Sequence, residues 1–202
     1  MTEAALPSVI DDPRWHAFHD KGFACSCGQT HVGLFPIQMQ VPKGWPGDPT
    51  YEPNEALRMN GDFLSFDYCV MDGKYFAMRM RFPLAMRGAE PAAFMYTVWA
   101  SLNRAEFEVY VNAERRSQLA PNARAPARLI NNINGYENTG GLMGSAFHQE
   151  DGGYPVLLVH GPQPDNDANH PLINHQRNGI GVDTMLDLFA AYGHDMRTGA
   201  GK

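Results

Sequence analysis

Between Asp62 and Leu84 the chain alternates apolar and polar side chains at the strand period of two, in two runs, Asp62 to Val70 and Lys74 to Leu84. Asp72-Gly73 separates them, and Asp-Gly suits a two-residue hairpin turn because both central residues adopt positive φ. Pairing Met71 with Lys74 across that turn predicts Cys69 opposite Phe76, Asp67 opposite Met78 and Ser65 opposite Met80, all on the inner face. Leu64, Phe66, Tyr68 and Val70 then oppose Arg81, Arg79, Ala77 and Tyr75 on the other face. In that setting Asp67 needs a hydrogen-bonding partner, since an unpaired buried carboxylate is costly.

Phe94 to Leu102 reads as a third strand, with Phe94, Tyr96 and Val98 on one side and Met95 and Trp99 on the other. Asn103, three residues ahead of Glu106, opens a capped helix through Phe107 and Tyr110. Asp12-Pro13 starts a short helix that Gly22 ends, and Val32 to Val41 reads as a strand. Proline and glycine then make 42–53 a loop, followed by a helical turn near Asn54 to Met59. Residues 120–139 lack periodicity and read as a long surface excursion; Gly140 to His148 and Tyr154 to His160 form a hairpin around Asp151-Gly152-Gly153. A turn-rich loop leads to His170-Pro171, and a last helix runs from Asp183 as N-cap to Tyr192, with Gly193 as its stop.

Hairpins with helices between and after them imply an α+β architecture, a mostly antiparallel sheet with a few flanking helices. Residues 1–22 are expected to be a leader and short helix, 23–193 a single domain, and 194–202 a flexible tail.

At 202 residues with 44% apolar and 19% charged side chains, the composition is that of a globular protein able to bury a core without disulfide staples. A net charge of -6 argues against nucleic acid, whose binding rests on clustered Lys and Arg. No stretch has the ~20 apolar residues of a membrane helix, and no apolar secretory segment opens the chain. Three cysteines, an odd number unevenly spread, do not form an extracellular disulfide framework. The expectation is a cytoplasmic protein with reduced thiols, whose partner is a protein or a small molecule.

Candidate chemistry concentrates in Phe23-Ala24-Cys25-Ser26-Cys27-Gly28-Gln29-Thr30-His31. With Cys69 as a fourth ligand, Cys25, Cys27 and His31 make a Cys3His set, the donor set of closed structural zinc sites. That yields a binding or regulatory domain with a structural zinc. Three other readings stand beside it. The thiols are small core side chains in a tight turn; or the chain is a thiol enzyme, with Cys27 or Cys69 as nucleophile and His31 or His170 as base; or it is an acidic, immunity-like protein that masks a basic partner. His16 and His19 share a helical face but have no cysteine or carboxylate next to them, and read as surface histidines beside Trp15. The phosphate-loop, dinucleotide-binding, nucleophile-elbow and H-E-x-x-H patterns are all missing.

Cys25-x-Cys27-Gly28-x-x-His31, Asp67-x-Cys69-Val70, Val98-Trp99-Ala100-Ser101-Leu102 with Phe107, Gly141-Leu142, and His170-Pro171-Leu172 with Gln176 and Gly179-Ile180 occur in that order. In this combination the chain resembles a bacterial domain-of-unknown-function family, number twenty-one ninety-nine (DUF2199), over roughly residues 23 to 182. In that family two residues more often separate the cysteines; here a single residue, Ser26, does. The resemblance implies a compact bacterial intracellular domain and no particular activity.

Overall fold

A computed structural model describes residues 7–160 and 170–197; the first part of the expected leader, the loop before His170 and the end of the expected tail lie outside the described residues. The elements are α1 (Pro13–Asp20), β1 (Phe23–Ala24), β2 (Thr30–His31), β3 (Ile37–Gln38), β4 (Phe63–Leu64), β5 (Tyr68–Met71), β6 (Tyr75–Ala85) and β7 (Ala93–Leu102). They continue as α2 (Arg104–Val111), α3 (Ala113–Ser117), β8 (Arg124–Leu129), β9 (Met143–Phe147), β10 (Val156–Val159), α4 (Pro171–Asn178) and α5 (Val182–Ala190). A mostly antiparallel sheet with few helices makes this an α+β fold, as its sequence pattern implies.

The two longest strands, β6 and β7, pair antiparallel from Phe76↔Leu102 to Ala85↔Ala93. From β7 the ladder passes antiparallel through β8 and β9 to β10, and β10 returns beside β6 in parallel at Val156↔Arg81. These five strands therefore close into a ring, which leaves few unpaired edges. β5 and β4 extend from β6, and β3 lies against β7.

Strand alternation sorts the side chains as the period-two pattern demands. Met78, Met80, Phe82 and Leu84 of β6 stand beside Ala100, Val98, Tyr96 and Phe94 of β7 in the main core. Onto that core pack Trp15 and Phe18 of α1, Phe107 and Tyr110 of α2, Leu172 and Ile173 of α4, and Met185, Leu186 and Phe189 of α5. The opposite face holds a smaller cluster of Leu64, Cys69, Ala77 and Trp99, which Met39, Val41, Trp45 and Tyr51 help to cover.

The hairpin after β5 corrects the predicted register by one residue. Asp72 and Gly73 do adopt positive φ, 53° and 61°, and the Lys74 amide donates to the Met71 carbonyl at 3.0 Å. Yet the ladder takes Tyr75, not Lys74, as the partner of Met71, so Cys69 faces Ala77 rather than Phe76, and Tyr68 and Val70 face Met78 and Phe76. A slip of one residue exchanges the faces. The observed register sends Tyr68 and Val70 into the main core and leaves Asp67 half-buried at its margin, where Tyr154 Oη and Asn54 Nδ2 donate to it at 2.5 Å each. The predicted one would have set a carboxylate against Met78.

Gly73 is held by more than its turn. Its amide donates to the Gly61 carbonyl at 3.0 Å, and a Cβ there would meet Gly61 N at 3.1 Å and Asn60 Cα at 3.2 Å. Gly73→Val should lower stability by about 1–3 kcal/mol through a forced positive φ and backbone crowding. The shift in denaturant midpoint measures it.

Five local readings also change. Only Ile37–Gln38 of the Val32 to Val41 run pairs as strand. Arg124–Leu129 is a strand inside the expected surface excursion, and Pro171–Asn178 is a helix capped by the His170 ring, whose Nδ1 accepts from the Leu172 amide. Helix α5 begins after Gly181, so Asp183 lies within its first turn, where it meets Arg14 at 2.6 Å instead of capping. Residues 194–197, placed in the expected flexible tail, pack against the domain, with Met196 fully buried.

Candidate metal centre

Strands β1 and β2 form a small hairpin, Phe23↔His31 and Ala24↔Thr30, whose loop is Cys25 to Gln29. The Cys25 amide donates to the Gln29 carbonyl at 2.8 Å and the Gly28 amide to the Cys25 carbonyl at 2.9 Å. Gly28, at φ 86°, supplies the positive φ this tight loop requires. The loop thereby turns Cys25 and Cys27 toward one another, and the Cys27 amide points at Cys25 Sγ at 3.4 Å. His31, the first residue after the loop to pair with Phe23, brings its Nε2 to 3.2 Å from Cys27 Sγ.

The fourth side chain comes from the far end of the chain. Gly193, at φ 81°, closes α5 with two hydrogen bonds, its own amide to the Ala190 carbonyl and the His194 amide to the Phe189 carbonyl, both 3.0 Å. This glycine-terminated reversal sends His194 back toward the hairpin, and its Nδ1 lies 3.6 Å from Cys25 Sγ. Ser26 clamps the two segments together: its Oγ donates to the Gly193 carbonyl at 3.1 Å and accepts from the Asp195 amide at 3.0 Å, and its amide donates to the Asp195 carbonyl at 3.0 Å.

One ligand atom from each of Cys25, Cys27, His31 and His194 lies within 4.8 Å of the others. A tetrahedral zinc separates bound sulfur from bound nitrogen by about 3.6 Å, given bonds of ~2.3 and ~2.05 Å. Of the two sulfur–nitrogen distances, one equals that value at 3.6 Å and the other, 3.2 Å, is somewhat shorter. Burial and, second, the neighbouring His194 hold His31 below the ordinary histidine range, which favours the neutral imidazole a metal requires. An aromatic wall supports both rings: Phe35 stacks on His31 at 4.4 Å, meets His194 edge-on at 5.1 Å and lies 4.5 Å from Phe189.

Of the four ligands read from the sequence, Cys25, Cys27 and His31 come together here and Cys69 does not. Cys69 is fully buried in the smaller apolar cluster, and burial pushes its thiol up to about 12. Such a thiol is inert as a nucleophile. His170 is equally committed, with Nδ1 accepting from Leu172 and Nε2 3.0 Å from the Glu137 carbonyl. His16 binds the Ile10 carbonyl at 2.8 Å and His19 packs against Trp15 at 4.3 Å. The signal for His194 was the strong stop at Gly193, which fixes where the next residue turns; the clamp at Ser26 has no counterpart in local sequence.

Among the described residues no helix is long and apolar enough to cross a membrane. No curated protein and no solved structure matches the chain. A family model does, over residues 24–180, a span holding Cys25, Cys27 and His31 but ending before His194. The chain belongs to that family, DUF2199, described as an uncharacterized protein conserved in bacteria.

Proposed function

We propose that the chain is a binding or regulatory protein whose fold is tied together by a structural zinc held by Cys25, Cys27, His31 and His194. The convergence of four ligand atoms from two distant segments carries this reading. Cys2His2 is a closed tetrahedral set that leaves no position for a substrate, so the metal acts as a cross-link and not as a Lewis acid. Elemental analysis of protein purified without a His-tag tests it. About one zinc per chain is expected, with thermal stability falling when a chelator removes it. Metal-free protein indifferent to added zinc would end the proposal.

The 3.2 Å contact between the exposed Cys27 thiol and His31 favours one second reading, a thiol–imidazole pair acting as a nucleophile. Alkylation separates the two. Zinc-bound Cys27 is protected from iodoacetamide until the metal is stripped, whereas a catalytic thiol reacts fast in protein as purified and stays fast with zinc added.

A further inference from the structure

A second group of polar side chains lines a cleft of about 370 Å³ where β5, α3 and the loop before β10 meet. Asp67, Tyr68, Arg116, His148 and Tyr154 face it. An adjoining cleft of about 450 Å³ shares Arg116, His148 and Gly152 with the first, so the cation and the imidazole sit at their junction.

Arg116 is anchored by one nitrogen only. Its Nη1 donates to Tyr68 Oη at 3.2 Å and to the Tyr110 carbonyl at 3.5 Å, while Nε and Nη2 have no partner and no carboxylate pairs with it among the described residues. The edge left open is the fork that grips a carboxylate or phosphate with two parallel hydrogen bonds. His148 also lines the cleft, and neither ring nitrogen has a hydrogen-bond partner among the described residues, so the ring is available to a ligand that enters there.

Across the cleft, Asp67 already accepts from Tyr154 and Asn54. A carboxylate offers about four acceptor positions, so it retains capacity for a ligand's hydroxyl or ammonium group. The loop that presents Tyr154 is braced beforehand, with Arg81 Nε donating to the Tyr154 carbonyl at 3.1 Å and the Gly153 amide to Asp151 at 2.9 Å. Burial first, then Asp67, pushes the Tyr154 hydroxyl up to about 12, which keeps it a donor to Asp67.

We propose that this cleft binds a small metabolite that carries a carboxylate or phosphate, held by Arg116 and His148, and a hydroxyl or ammonium group directed at Asp67. The volume suits a ligand at the lower end of the range for small-molecule pockets, ~300–1,000 Å³. NMR of the full chain, observing the His148 ring and the Arg116 side-chain N–H, tests it with inorganic phosphate, malate and aspartate as probes. Saturable one-to-one shifts are expected, with malate or aspartate binding more tightly than phosphate. Arg116→Gln should weaken each probe about tenfold or more. Arg116→Lys, which keeps the charge without the fork, should fall between, and Asp67→Asn should remove the advantage over phosphate. No saturable shift with any probe, or shifts unchanged in a folded Arg116→Gln protein, would overturn the site. Failure here leaves the zinc proposal standing, because the two sites share no residue.

Discussion

His194→Ala is expected to release the zinc and lower the melting temperature by about 10 °C, a larger effect than any surface substitution in this chain produces. Cys25 and His194 are 169 positions apart, so a metal bound by both closes most of the chain into one loop. Chain-entropy reasoning gives a cross-link over so long a loop up to about 4–5 kcal/mol. Removing one of four ligands should weaken zinc at least about a hundredfold, or ~2.7 kcal/mol. Cys69→Ser provides the control: it disturbs the packing of Leu64, Ala77 and Trp99 but leaves the zinc content at one per chain. If Cys69→Ser lost the metal and His194→Ala kept it, the ligand set assigned here would be mistaken. Acid should act in the same direction as His194→Ala. Because His31 is held below its ordinary range in the folded chain, the unfolded chain takes up the proton first as pH falls. Stability is therefore lost from the ordinary histidine range downward, and protons displace zinc from imidazole and thiolate over the same interval.

How much of this was legible in the sequence depends on whether the signal is local. Asn103 ahead of Glu106, Asp12 ahead of Pro13, and the alternation in β6 and β7 are local, and each forms as its pattern predicts. The positive φ at Asp72-Gly73 was local too; the register was not, because burial of Tyr68 and Val70 in the main core decided it. Strand β8 was hidden by its own composition. Its inward residues are Ala125, Ala127 and Leu129, of which the two alanines are small with weak strand preference, and Pro126 interrupts the run. Proline is tolerated there because β7 engages β8 only at Arg128 and Leu129. Helix α4 was obscured because histidine is an uncommon N-cap. The candidate metal centre divides the same way. Cys25, Cys27 and His31 lie within one hairpin and are readable together, whereas the fourth side chain depends on where a helix on the opposite side of the sequence ends.

Phe189→Ala should cost about 3–5 kcal/mol, the range for deleting a fully buried aromatic ring, and should weaken zinc binding as well. The ring stands 4.7 Å from Phe94 in the main core and 6.2 Å from Phe18 of α1, so its loss opens a cavity between α5 and the strands. It also lies 4.5 Å from Phe35, the ring that stacks on His31, and its carbonyl accepts the His194 amide. Loosening Phe189 therefore frees both candidate histidine ligands from their support, although neither is altered chemically. Met185→Ala, an equally buried truncation on the same helix, should cost about 2–5 kcal/mol in stability. It should leave zinc affinity near that of the unaltered chain, since Met185 lies about one helical turn further than Phe189 from His194 along α5. Calorimetry with a competing chelator reads zinc affinity, and denaturant unfolding reads stability. Equal affinities in the two variants would show that the core does not brace the centre, and would confine support for the ligands to the Ser26 clamp.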